Sequence, residues 1–179
     1  MKNIIAKSFT TILIAMLTFL DAQTINRYGT TTANFLEIGI GSRATSMGDA
    51  YVAVANDVSS IYWNPAGLSH VTNSSALFSI QPWLVDIDMM FAGGAFVVPS
   101  VGVIGLGITH LDYGEMDVTN LEYQDGTGER FGASDVAATF TFSRKIVSWF
   151  SFGSSMKYIS SKIWHSSASA FAVDLGVLV

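Results

Sequence analysis

From residue 71 onward, bulky and small side chains take turns along the chain, and a period of two is the signature of β-strands. Six strands are expected, over about 73–81, 88–98, 102–113, 135–143, 148–160 and 169–179. The last three alternate most clearly. Val136, Ala138, Phe140 and Phe142 share one face against Asp135, Ala137, Thr139 and Thr141. Phe150, Phe152, Met156 and Tyr158 oppose Ser151, Gly153, Ser155 and Lys157. Phe171, Val173, Leu175 and Val177 oppose Ala170, Ala172, Asp174 and Gly176. A soluble sandwich turns its bulky residues inward and shows charge to water. Here the second face is mostly Gly, Ala, Ser and Thr. That suits an all-β, transmembrane antiparallel barrel, with bulky residues against lipid and small ones lining a filled lumen.

The connections support the same expectation. Longer ones fall at 82–87, 114–134 and 161–168, and shorter ones at 99–101 and 144–147, in strict alternation. Barrels of this kind alternate short periplasmic turns with longer external loops. Trp83, Trp149, Trp164 and Tyr113 then lie near strand ends, where amphipathic rings prefer the membrane interface. Six strands are fewer than the about eight of the smallest single-chain barrels, and the pattern runs up to Leu178-Val179 without a terminal aromatic. Residues 71–179 are therefore expected to be the first strands of a partial barrel whose C-terminal part is missing.

Upstream the pattern changes. Lys2 and Lys7 precede the apolar run 12–20, and Leu20-Asp21-Ala22 offers a cleavage site before Gln23. Residues 1–22 read as a secretory signal, since the apolar run is far shorter than the about 20 residues of a spanning helix. Residues 23–35 are a polar, extended lead-in. Glycines 39, 41 and 48 permit tight bends, and Tyr51–Ala55 alternates like a short strand. Asp57 suits the N-cap of a short helix over 58–63, which Pro65 must end.

Composition narrows the solvent and the chemistry. Hydrophobic residues make up 50% of the chain and charged ones 13%, high for a soluble domain, yet past the leader no stretch is long enough for a spanning helix. A barrel resolves this, because each strand shows lipid only every second residue. A sandwich with a rich core has the same composition, so only the facing pattern separates the two. A net charge of −5 with scattered Lys and Arg is unsuited to nucleic acid. The absence of cysteine removes disulfides, thiolate metal sites and a thiol nucleophile.

The sharpest motif is Asn64-Pro65-Ala66-Gly67-Leu68, preceded by Tyr62-Trp63 and, further upstream, by Arg43-Ala44 and Met47-Gly48. Over residues 36–68 this resembles the N-terminal part of the PorV/PorQ family, relatives of the FadL-type outer-membrane barrels. Ser46 and Asn56-Asp57 stand where many relatives carry a glycine and an acidic pair. The resemblance implies a FadL-like barrel in the bacterial outer membrane, with residues 23–70 folded as a hatch on its periplasmic side. It also implies a part in type IX protein secretion, with a translocon or secreted cargo as partner. Arg43, Met47, Gly48, Tyr62, Trp63, Asn64, Pro65, Ala66 and Gly67 would then plug or gate the lumen rather than perform chemistry. Arg43, the one charge among the hatch glycines, is expected to pair with Asp135 or Asp174. The alternative implied by the same resemblance is a channel for hydrophobic small molecules such as long-chain fatty acids or aromatic hydrocarbons.

No enzyme, cofactor or metal is expected. Gly39-Ile-Gly41-Ser-Arg-Ala44 matches the spacing of a dinucleotide fingerprint but lacks its strand–helix–strand setting. His70, His110 and His165 are too scattered for a metal site. No G-x-S-x-G elbow occurs. Some relatives are linked to lipid A deacylation, but nothing here names a nucleophile. Asp112, Glu115, Asp117, Glu122, Asp125 and Glu129 gather around Arg130, as expected for a solvated external loop with its tip at 125–128, or for a cation or partner surface.

Overall fold

The computed structural model describes residues 33–179 apart from residue 86. The leader expected over 1–22 and residues 23–32 of the lead-in expected over 23–35 lie outside the described residues; the described end of that lead-in is not extended but enters a 3₁₀ turn at Asn34. Six antiparallel strands follow one another as a meander: β1 Ser75–Pro82, β2 Asp88–Val98, β3 Gly102–Asp117, β4 Arg130–Val147, β5 Phe150–Ile163 and β6 Ser166–Leu178. The sheet is all-β and open. β1 and β6 each pair with one neighbour and do not close on each other. Among the described residues no helix is long and apolar enough to cross a membrane.

All six expected strands form, but their lengths differ. β3 and β4 extend toward each other, leaving 118–129 as the loop. Arg130 opens β4 and holds Glu115 at 2.7 Å and Asp117 at 3.2 Å across the pair, which carries the ladder past a bulge between Asp112 and Glu115. The turn of the loop lies nearer Asn120, whose carboxamide oxygen accepts from the Glu122 and Tyr123 amides, than at 125–128. The long loop expected at 161–168 is a two-residue turn, Trp164-His165, with Trp164 at φ 50°. Positive φ there matches the twist of a tight hairpin. The serines of 160–169 are strand residues on a polar stretch, not loop residues. Connections therefore alternate long and short through β4–β5 and then stop doing so.

The N-terminal segment is built from short turns. A 3₁₀ turn covers Asn34–Glu37, α1 is Ser42–Ser46, α2 is Ser60–Trp63, and a second 3₁₀ helix covers Pro65–His70. Tyr51–Ala55 is not a strand. The Tyr51 carbonyl accepts from the amides of Val54 and Ala55, curling the segment on itself. Asp57 is not the N-cap: α2 begins later than expected, at Ser60, with Ser59 as its cap residue, and Asp57 accepts from the Ser59 amide at 2.8 Å in the turn before it.

Strand register places the small residues together. Gly93, Gly107, Thr139 and Lys157 form one row; Ala95, Gly105, Thr141, Ser155 and Asp174 the next; Val97, Val103, Ser143, Gly153 and Gly176 a third. The N-terminal segment lies over this face. Ile61, Leu68, Phe35 and Ile40 are buried with Met89, Phe91 and Leu111 in one cluster. Glycine is required under it: a methyl on Gly105 would sit 2.7 Å from Leu68 Cδ2, and one on Gly107 would sit 2.8 Å from Ile61 Cγ2.

The opposite face carries the bulky residues, and they are exposed. Phe171 is 76% exposed, Leu175 72% and Phe78 66%. Phe140, Met156, Leu106 and Ile108 are likewise uncovered. The sheet thus buries its small polar side and shows its large apolar side, the reverse of a water-soluble sheet. Trp83, Trp149 and Trp164 sit at strand ends, all exposed. Tyr113 does not join them. It lies on the covered face of β3 and donates to Asp135 at 2.7 Å.

Gly153 and Gly94 separate the two faces experimentally. A methyl at Gly153 collides with the Pro65 carbonyl and the Ala66 amide, which are backbone and cannot step aside. At Gly94 it meets only the Phe96 ring at 3.5 Å. Gly153→Ala should lower unfolding stability by about 1–3 kcal/mol, the usual cost of overpacking, while Gly94→Ala stays within roughly 0.5 kcal/mol. Thermal unfolding followed by circular dichroism of both variants checks this.

Candidate functional site

The seam between the N-terminal segment and β4–β6 is the most densely organised polar site in the described residues. Asn64 is its centre. Extended at φ −156°, it ends α2 and starts the 3₁₀ helix, with Pro65 at the first helical position where no amide is needed. Its carboxamide oxygen accepts from the Ala66 amide at 3.1 Å. Its nitrogen donates to the Val52 carbonyl at 3.0 Å and to the Val177 carbonyl of β6 at 3.2 Å. One buried side chain thus ties three segments together, using both donor hydrogens and the acceptor.

Pro65 and Ala66 then lie on the glycines of β5 and β6. Beside them Ser143 donates to the Ala66 carbonyl at 3.1 Å. Gly67 passes so close to the Ala55 carbonyl that no side chain fits there. Tyr62 and Trp63 bind the residues upstream. The Tyr62 hydroxyl lies 2.6 Å from the Leu36 carbonyl and 2.7 Å from that of Ile38, donating to this pair. Burial first, then the charges of Asp49 and Glu37, pushes its pKa well up, so it remains a donor at any physiological pH. Trp63 Nε1 donates to the Ile40 carbonyl at 3.2 Å. The two rings meet edge to face, 5.5 Å between centres.

The structure therefore brings Tyr62, Trp63, Asn64, Pro65, Ala66 and Gly67 together at the sheet. Arg43, Met47 and Gly48 belong to a second layer with α1. Its small core of Ala44, Tyr51 and Ala55 packs on Trp63. Gly48 takes φ 61° just beyond the helix, and Met47 is half exposed. The pairing expected for Arg43 is not made. Arg43 reaches Asp57 at 3.2 Å and Asn56 at 3.4 Å, because α1 points it along its own layer rather than at the wall. The two acids expected for it have other partners, Tyr113 for Asp135 and Lys157 for Asp174.

Lys157 was not singled out by the motifs. It is nearly buried on β5, 2.7 Å from Asp174 on β6, and its ammonium lies 5.9 Å from the centre of the Tyr62 ring. A lone Lys and a lone Asp on the small-residue faces of consecutive strands were the available signal. A cavity of about 360 Å³ opens beside the pair, lined by Val52, Trp63 and Asn64 among others. A larger hollow of about 800 Å³ lies on the opposite, bulky face between Phe78, Leu106, Phe140 and Phe171. Among the described residues, no group of three His, Asp or Glu side chains is placed to hold a metal ion. No protein-family model matches the chain, and no curated protein does either.

Removing the Asn64 carboxamide strands two carbonyls and an amide at once. Asn64→Ala should cost about 2–3 kcal/mol of unfolding free energy, summing hydrogen bonds of about 1 kcal/mol each. Asn64→Asp keeps the acceptor for Ala66 and loses both donors, so it should not restore wild-type stability. Urea unfolding of the two variants distinguishes these outcomes.

Proposed function

We propose that this chain is a stretch of outer-membrane barrel wall carrying its own plug, of the PorV/PorQ type. One observation carries the proposal: a sheet whose large apolar face is bare and whose small polar face is covered by the chain's own N-terminal segment. In water such a face is an aggregation hazard. In hydrocarbon it is the stable arrangement, because acyl tails take the place of a core. Strands of eight or more residues and exposed tryptophans at strand ends support the same environment. Among the described residues the wall is open.

Within that setting residues 33–70 act as the hatch. Polar seam contacts hold it to β4–β6 and apolar ones to β2–β3. The functional role proposed is in type IX secretion, as a membrane-held partner for a translocon or for cargo, supported by the residue 36–68 resemblance. A channel for hydrophobic solutes is less favoured. It needs an apolar pocket on the external side, whereas one cavity beside the hatch carries the Lys157–Asp174 pair, a second of about 480 Å³ is bordered by Asn56, Asp57, His70 and Asn73, and the large apolar hollow lies on the other face. No catalytic role is proposed.

Because the chain has no cysteine, single cysteines for spin labelling are unique. Labels placed one by one at 171–177 in the full chain, reconstituted in phosphatidylcholine vesicles, should show oxygen accessibility peaking at 171, 173, 175 and 177. A flat profile, or peaks at the even positions, would overturn the membrane assignment. Affinity isolation from outer membranes then separates the roles: a translocon or secreted proteins support secretion, and bound fatty acid without protein supports the channel.

A further inference from the structure

We propose that residues 42–56 form a lid over the Lys157–Asp174 cavity, fastened by an Arg43–Asp57 clasp, and that it opens while the plug beneath stays seated. This goes beyond the membrane assignment and does not rest on it, since it concerns only how two layers of residues 33–70 are joined.

The layers are held by different forces. The lower one, residues 58–70, is attached by burial. Ile61 and Leu68 are almost wholly enclosed against Gly105 and Gly107, and the backbone at 65–66 lies directly on Gly153. Dry, close-packed contacts of this kind separate only at high cost. The upper layer has a separate core, Ala44, Tyr51 and Ala55, resting on the Trp63 ring, with Tyr51 and Trp63 edge to face at 6.0 Å. Beyond that core and the Ala55 carbonyl lying against Gly67, its ties are polar. Asp57 receives the Arg43 guanidinium at 3.2 Å and the Tyr51 hydroxyl at 3.2 Å. The guanidinium also sits 5.4 Å from the centre of the Tyr51 ring.

These ties are ones that water can replace. The Arg43 and Asp57 side chains are 63% and 41% exposed, and an ion pair so open contributes little. Gly41 at φ 82° and Gly48 at φ 61° flank α1 and free the backbone on either side of it. Val52, in the upper layer, lines the cavity beside Lys157 and Asp174, and its carbonyl is the upper layer's link to Asn64. Lifting the upper layer therefore uncovers the ion pair without disturbing Ile61, Leu68 or Pro65. Local opening of a weakly held layer over a strongly held one is the usual distribution of stability in a folded chain.

Hydrogen exchange of the full chain in detergent micelles tests this. In Arg43→Gln, the hydrogen-bonded amides of Thr45, Met47, Val54 and Ala55 should exchange about threefold faster, while those of Asn64, Gly67 and β5 keep their rates. Arg43→Lys should recover most of the protection. Tyr51→Phe, which removes the second ligand of Asp57 without touching Arg43, should act in the same direction. Acylation of Lys157 by a water-soluble amine reagent should rise in step, with exposed Lys145 and Lys162 unchanged as references. Equal acceleration in both layers would mean one cooperative unit. No acceleration in the upper layer of either variant would mean there is no clasp. Either result overturns the proposal.

Discussion

The contact on which the rest of this structure depends is backbone against backbone. Pro65 and Ala66 rest on the main chain of β5 at Gly153, and the Asn64 carboxamide oxygen and the Pro65 ring rest on β6 at Gly176, where the wall itself carries no side chain. Such proximity lets Asn64 reach the Val177 carbonyl and Ser143 reach the Ala66 carbonyl. Lift the segment by the height of one methyl group and both hydrogen bonds lengthen beyond use. The polar seam is thus a product of missing side chains. Its specificity comes from geometry that only glycine on the wall permits.

The same constraint explains why a sheet can bury its small polar face. A hydroxyl is costly to enclose unless it is paired. Thr141 and Ser155 pair with each other at 2.8 Å, Ser143 pairs with the plug, and Lys157 pairs with Asp174. These groups are matched either across the sheet or to the segment above it, while in the plug the Ser60 and Ser69 hydroxyls are buried without a partner. Large apolar residues have no such obligation: Met89, Phe91 and Leu111 join the core under the plug, and the others occupy the bare side. Two faces with opposite requirements leave the strands a single workable register.

Much of this was legible in the residues. The alternation of Phe171, Val173, Leu175 and Val177 with small neighbours placed β6 and its faces correctly, and Pro65 marked the end of α2. What misled was local resemblance between different structures. Tyr51-Val-Ala-Val-Ala55 alternates as a strand does, but no ladder partner lies beside it, and its own carbonyl at Tyr51 satisfies the following amides. The serines near 160–169 look like a loop because a polar strand and a loop share their composition. In the site, the motif pointed to Asn64 but not to its targets, which lie 12 and 113 residues away. Arg43 illustrates the limit: its charge predicted an acidic partner, and only the direction of α1 chose Asp57 over Asp135 or Asp174.

The link between Asn64 and Val177 also sets an order of events. Residue 64 precedes its partner by 113 residues, so the Asn64–Val177 link cannot form until β6 is in place. Closing so long a loop is slow compared with pairing adjacent hairpins. The meander assembles from neighbours, and the polar seam closes only when β6 supplies the Val177 carbonyl. Seating of the segment thus reports that the wall beneath it is complete through β6.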